Sequence, residues 1–256
     1  MKNKFTILGC GSSLGSPWIN RNWGKCDKNN KKNFRSRCCA HIQYKGLSVL
    51  IDTSPDIKQQ MISNNIANVD SILYTHEHAD QTAGIFEFRP IYFINKKKIP
   101  IYCNSSTKKK LKSAYPWIFK TSQLYPQIMF FKDLKNNINI KKKNTTLKIK
   151  AFNVIHGKVK TRGYLFNKIA YISDCNAIPA KSLKLLKNLN YLIIDCFREK
   201  KHITHFNYDE ALEIIKLIKP KKSILTNLHV DLDYENLKKK LPSNVLAAYD
   251  GLSFNF

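Results

Sequence analysis

The run Leu73-Tyr-Thr-His76-Glu-His78-Ala-Asp80-Gln81 constrains this chain more than any other segment. An apolar, strand-like stretch over 71–74 leads into it, and two imidazoles and a carboxylate follow at every second position. Side chains at alternate positions just past a strand can converge on one point above the sheet edge. Imidazole and carboxylate together suit zinc, manganese or iron, and an open coordination position would hold a water whose pKa the cation lowers toward neutrality. Either histidine alone would suit a polar strand-end turn, but the pair, taken with the residues downstream, points to a metal.

The rest of the chain supplies a scaffold for such a rim. Short β-rich runs recur at 5–8, 41–44, 48–51, 71–74, 99–103, 147–155, 169–172, 191–194 and 223–225. Helical periodicity appears over 55–64, 107–119, 180–189, 208–218 and 234–241, with Ser54, Ser106, Asn207 and Asp233 placed to cap those helices. Strands come first in hairpin-like pairs and helices later fall between strands, which predicts a layered α/β arrangement with helices outside a two-sheet core. The glycine-rich run from Gly9 to Gly15 is followed by Pro17 and no helical pattern, so it reads as a tight turn near a site rather than a dinucleotide loop. The polar, irregular stretch over 16–37 is long enough to predict a functional loop. No Pro/Gly/Ser-rich stretch divides the 256 residues, so one domain over 1–256 is expected.

Composition narrows the function classes. An apolar share of 43% excludes a disordered chain despite the net charge of +26. The lysine excess is scattered in short runs at 96–98, 108–110, 141–143 and 238–240, which favours solvated faces over a dedicated nucleic-acid surface. Seven cysteines without a C-x-x-C pair suit a reducing compartment and the role of small core residues. The first residues lack a secretory pattern and no apolar run approaches the ~18 residues of a membrane span, so a cytoplasmic location off the membrane is expected.

Beyond the metal run, Val154-Ile-His156-Gly157 and Tyr171-Ile-Ser-Asp174 add a histidine and an aspartate at strand ends. With these, the chain resembles the metallo-β-lactamase superfamily, whose signature is His-x-His-x-Asp-His after a strand. It is most similar to the branch holding the phosphoribosyl cyclic phosphodiesterase of phosphonate breakdown and the related pyrroloquinoline quinone biosynthesis protein B. The matching residues are Leu8-Gly-Cys-Gly-Ser-Ser13, Cys26-Asp27, Leu50-Ile-Asp-Thr-Ser-Pro-Asp56, Gly84-Ile85 with Arg89, His202-Ile-Thr-His205-Phe-Asn207 and Ala248-Tyr-Asp-Gly251. The resemblance implies a four-layer αββα fold with two mixed sheets sandwiched between helices. It implies a first metal site of His76, His78, His156 and bridging Asp174, and a second of Asp80, Asp174, His229 and the amide oxygen of Gln81.

Two departures qualify that second site. Gln81 stands where the family has histidine, and the late Thr-His of better-known members reads Thr226-Asn227. Neutral amides are weaker ligands than imidazoles, so one Zn²⁺ or Mn²⁺ is expected to be firmly bound and any second ion held loosely. The activity implied is hydrolysis of a small cyclic or nucleotide-like phosphodiester by a metal-bound hydroxide, with Asp80 orienting the nucleophile. His205 is the expected acid, with His202 in reserve. Arg35, Arg37 and Arg89 are expected to grip an anionic group. Asp52 is expected to position the metal loop, Asp56 to place charge at a helix start, and Asp195 to support His202 or His205. His41 reads as a satisfied core or surface histidine. Cys26, Cys38 and Cys39 have the wrong spacing for the structural zinc that some relatives carry. Two alternatives stand beside this reading: an RNA-processing nuclease of the tRNase Z type, against which no Gly/Pro-rich arm is found, and a non-catalytic cofactor-handling relative. The expected partner is a small anionic substrate rather than nucleic acid, and a homodimer is allowed.

Overall fold

Alternating residues along the strands build two sheets that each bury both faces. The computed structural model describes residues 3–123 and 125–256. One sheet collects β1 (Lys4–Gly9), β2 (Cys39–Tyr44), β3 (Leu47–Ile51), β4 (Ser71–Leu73), β5 (Ile99–Cys103) and β6 (Met129–Asp133). The other collects β7 (Asn137–Lys142), β8 (Thr145–His156), β9 (Val159–Phe166), β10 (Ile169–Ile172), β11 (Tyr191–Asp195), β12 (Lys222–Thr226) and β13 (Val245–Ala247). The final strand, β14 (Ser253–Asn255), returns to pair antiparallel with β1. The strand orders are β14-β1-β2-β3-β4-β5-β6 and β13-β12-β11-β10-β9-β8-β7. Each sheet is antiparallel through its hairpins and becomes parallel at β3 to β6 and at β10 to β13.

Parity assigns the faces. In β10, Ile169 and Tyr171 enter the core between the sheets while Ala170 and Ile172 turn outward. In β3, Val49 and Ile51 face inward and Leu50 outward. Strands covered on both faces read as unbroken apolar runs, which is why these were conspicuous in the sequence. Phe5 of one sheet meets Phe166 and Tyr171 of the other at centroid distances of 5.9 and 6.0 Å. Such tilted pairs add about 0.5–1.5 kcal/mol each beyond the area they bury.

The outer layers are helical. Ile57 of α1 (Ile57–Ser63) packs on the first sheet, and α2 (Ala79–Thr82) and α3 (Arg89–Asn95) follow the metal-type run. Leu111 of α4 (Ser105–Ala114) and Ile118 of α5 (Pro116–Phe119) complete that layer. On the far side, α6 (Ala180–Leu183), α7 (Tyr208–Ile218) and α8 (Tyr234–Lys240) cover the second sheet through Leu183, Ala211, Ile215 and Leu237. The result is the four-layer αββα arrangement.

Local chemistry explains where sequence expectation and structure part. The helix expected over 107–119 is two helices, because Pro116 disfavours helical geometry at Tyr115, which sits at φ −133° and ψ 53°. Its cap is Asn104, which accepts from the Thr107 amide, and not Ser106. Ser54 does not cap α1 either, since its hydroxyl donates to Gln60 Oε1 at 2.9 Å. The helix expected over 180–189 keeps only its first residues. Asn207 and Glu210 do form a reciprocal capping box on α7, and Asp233 caps α8. The run over 16–37 includes a 3-10 turn at Lys31–Asn33 and is tied down by Arg35. Gly9 owes its identity to close approach: a Cβ there would lie 2.1 Å from the Arg37 carbonyl oxygen. All seven cysteines are buried and free. Among the described residues, no helix is long and apolar enough to cross a membrane.

Candidate metal centre

The parallel strands of both sheets end at a shared rim, the usual place for a site in α/β architecture. Asp52, just past β3, accepts from the Thr75 amide at 2.8 Å and the Thr75 hydroxyl at 2.9 Å, joining the ends of β3 and β4. Asp195, closing β11, accepts from the Cys175 amide past β10 at 2.8 Å and from Asn227 past β12 at 3.0 Å. Asp52 and Asn227 both turn through left-handed backbone, with φ of 66° and 63°, a geometry that Asp and Asn tolerate better than bulkier residues.

Three histidines gather between these ties. The rings of His76, His78 and His156 lie 4.4, 5.1 and 5.3 Å apart, steeply inclined to one another, and their nitrogens fall within 4.8 Å of each other. Burial and then the neighbouring rings of His78, His156 and His205 hold His76 well below the usual histidine range. Burial and then His205 bring His156 down to about 4. Both rings are therefore neutral at pH 7, the form that binds a metal.

Their outward nitrogens are committed. His156 Nδ1 donates to the Thr204 carbonyl at 2.7 Å, which leaves Nε2 a lone pair. His76 Nδ1 lies 3.0 Å from the Thr75 hydroxyl, which in turn donates to Asp52. Burial pushes the Asp52 carboxyl up, and the two Thr75 donors oppose that push. When they hold it as a carboxylate, Thr75 accepts from His76 Nδ1, and His76 Nε2 too is a lone pair. That Nε2 is buried with no hydrogen-bond partner, a condition that costs about 1–3 kcal/mol unless something meets it. A cation bound by three imidazole nitrogens meets it, so the donor set fits a metal of the zinc or manganese type.

The opposite wall is acidic and amidic. Asp174 is buried, and its carboxyl is raised first by burial and then by the nearby charge of Asp80. The fully buried Gln81 donates from Nε2 to Asp80 Oδ2 at 3.2 Å and to Asp174 Oδ1 at 3.3 Å. His205 stands beside them, its ring 4.5 Å from His156, and a nitrogen of His205 falls within 4.8 Å of the ligand atoms of His156 and Asp174. Its Nδ1 donates to Asp195 Oδ2 at 2.7 Å and its face stacks on Phe197 at 4.8 Å. Burial alone would lower His205, but Asp195, then Asp174 and Asp80, raise it to about 9. It therefore carries its proton at neutral pH.

Several residues expected at the site are engaged elsewhere. Arg35 is almost wholly buried and donates to the Leu232 carbonyl at 2.7 Å, Asn33 Oδ1 at 3.0 Å and the His229 carbonyl at 3.3 Å, so it braces a loop instead of gripping a ligand. Arg37 pairs with Asp56 at 3.0 Å. Arg89 lies over the rings of Tyr125 and Phe93 in a surface hollow of α3. His229, expected as a ligand, turns its Nδ1 to Asp231 at 3.1 Å and packs on Phe197 and Trp18, outside both ligand clusters. His202 accepts from the Thr204 hydroxyl at 3.1 Å and stands next to Phe197 and His205. Sequence reasoning passed over Thr75, Thr204 and Phe197, which orient the rings. The adjacency of Thr75 and Thr204 to His76 and His205, and the place of Phe197 two positions after Asp195, were the signals available.

Comparison with known proteins gives this arrangement relatives. A family model described as a beta-lactamase superfamily domain matches residues 48–227. A solved diphosphatase from the PhnP family is 32% identical, covers 100% of this chain and 98% of its own, and superposes with a TM-score of 0.91. Zn²⁺-bound PqqB from Methylobacterium extorquens shares the fold at 14% identity and a TM-score of 0.80, covering 99% of this chain and 100% of its own. Human tRNase Z, short form, does so at 18% and 0.69, covering 98% of each chain. A curated Porphyromonas gingivalis protein named octanoyltransferase is 27% identical over 96% of this chain, which spans only 50% of that relative's length.

Proposed function

The chain belongs to the β-lactamase superfamily and to its PhnP-family branch, and from that premise we propose that it is a metal-dependent phosphodiesterase acting on a small anionic phosphate ester. The observation that carries this reading is the convergence of three imidazoles on one point, His76 Nε2 among them with no other partner, directly beside Asp80, Asp174 and a protonated His205. A divalent cation bound by His76, His78, His156 and Asp174 would supply Lewis acidity toward water and toward a phosphoryl oxygen.

The remaining steps belong to the chain's own groups. Asp80, a half-exposed carboxylate at the start of α2, accepts a hydrogen from the attacking water and so orients it toward phosphorus. His205 donates from Nε2 to the leaving alkoxide, while Asp195 on Nδ1 fixes its tautomer and keeps the ring charged until transfer. Phe197, stacked on His205, shields one face of the ring from water.

Chelator-stripped protein assayed on bis(p-nitrophenyl) phosphate, with Zn²⁺, Mn²⁺ or Fe²⁺ added singly, tests the reading. Turnover restored by metal and lost in His76→Ala is expected. Stoichiometric metal binding with no turnover of any phosphodiester or diphosphate-linked substrate would replace it with a cofactor-handling role. The diphosphatase activity of the solved relative supports including the diphosphate arm, and octanoyl transfer is carried over from the longer curated relative to no residue of this chain. A second reading, an RNA-processing nuclease, draws on the net charge of +26, and a salt-dependent gel shift with RNA separates the two.

A further inference from the structure

The Gln81 side chain meets two carboxyl groups at once through its amide nitrogen, while its oxygen is buried without a hydrogen-bond partner. Its amide nitrogen is 3.2 Å from Asp80 and 3.3 Å from Asp174, with no solvent exposure. An amide NH₂ carries two hydrogens, and two carboxylates stand ready to take one each. The reversed amide would set an oxygen against both carboxylates, so electrostatics selects this orientation. The backbone cannot retreat: the Gln81 amide donates to the His78 carbonyl at 3.1 Å, and its own carbonyl accepts from Thr53 at 2.8 Å.

Two positions near this wall, Asn227 and His229, direct their side chains to other partners. Asn227 donates to Asp195, and His229 turns to Asp231. What remains on this side is His205, within 4.8 Å of ligand atoms of His156 and Asp174 but with Nδ1 held by Asp195, and the pair of carboxyl groups that Gln81 already bridges.

We propose that the centre is mononuclear, with the Gln81 amide bridging Asp80 and Asp174 in the place of a second metal ion. The inference rests on the metal-dependent reading given above. A fixed pair of hydrogen bonds then sets the aim of Asp80 and Asp174, and Asp80 is kept for the attacking water instead of being divided between water and metal.

Counting metal decides the matter independently of turnover. Apo protein is loaded with excess Zn²⁺, and in parallel with Mn²⁺, passed through a desalting column, and analysed for metal per folded chain. One ion per chain is expected, with an uncoupled Mn²⁺ spectrum by electron paramagnetic resonance. Two ions per chain, or a spin-coupled Mn²⁺ pair, would overturn the inference and leave the metal-dependent reading standing. No bound ion would overturn the reading itself. The double variant Gln81→His/Asn227→His, folded by circular dichroism, is expected to raise the count to two. A count that stays at one would remove Gln81 from the role assigned to it.

Discussion

His76 and His156 are buried neutral rings tied from behind by Thr75 and Thr204, whereas Asp80, Asp174 and Asp195 are carboxyl groups met by hydrogens from Gln81, Asn227 and His205. The first half lacks a positive partner, and the second already has amide hydrogens and the charged His205. One wall of the rim is thus prepared to receive a cation, and the other is already compensated by the chain itself. The difference teaches that ligand count alone misstates what such a site holds, because a carboxylate oxygen already taken by an amide hydrogen is not open to a metal.

The largest expected effect comes from breaking the imidazole half. His76→Ala should release the metal and cut phosphodiester turnover by about 10³-fold or more, since Lewis-acid stabilisation is worth several kcal/mol. Metal analysis and steady-state rates check it together. Next comes the other half: His205→Ala should keep full metal content yet slow substrates with alkyl leaving groups by about 10²–10⁴-fold. Esters of p-nitrophenol, which leave without protonation, should be nearly unaffected. Equal losses on both ester types would remove His205 from proton donation.

A third change leaves both halves alone and sharpens the contrast between centre and scaffold. His41 is buried against Ser48 and lowered by burial, then by Lys4, to about 4. Its folded value lies below the ordinary 6.5, so its contribution to stability is full above about pH 6.5 and is lost as pH falls toward 4. The ceiling of that loss is about 3 kcal/mol. Urea unfolding midpoints should fall across that interval in the native protein and fall less in His41→Gln. The smallest effect should come from Thr75→Val, which cuts the tie between Asp52 and His76. Metal affinity should drop about 10–100-fold with the ligands intact, as measured by competition with a chromophoric chelator.

What the sequence made legible follows from distance along the chain. His76, His78 and Asp80 fall at alternate positions of one short run, so spacing alone announced them. His156 and Asp174 lie far downstream and became readable only through the family likeness. Arg35 was misread because a guanidinium on a polar loop looks available until the Leu232 and His229 carbonyls close on it. His229 was misread for the converse reason: it neighbours Asn227 in sequence, but the left-handed turn at Asn227 sends the chain toward Asp231 and Phe197. Among the strands, those buried on both faces stood out, while β7 did not, since its exposed asparagines and lysines alternate with only Ile138 and Ile140. Gln81 was visible as a departure from the family, but its contact to Asp174 joins residues 93 positions apart and needed the fold to be seen.

The most direct test of the account is an anomalous-scattering crystal structure of the Zn²⁺-loaded protein. It should show one peak, about 2.0–2.1 Å from a nitrogen of each of His76, His78 and His156, with Gln81 still bridging Asp80 and Asp174. A full peak between Asp80 and Asp174, or none at the three histidines, would contradict it.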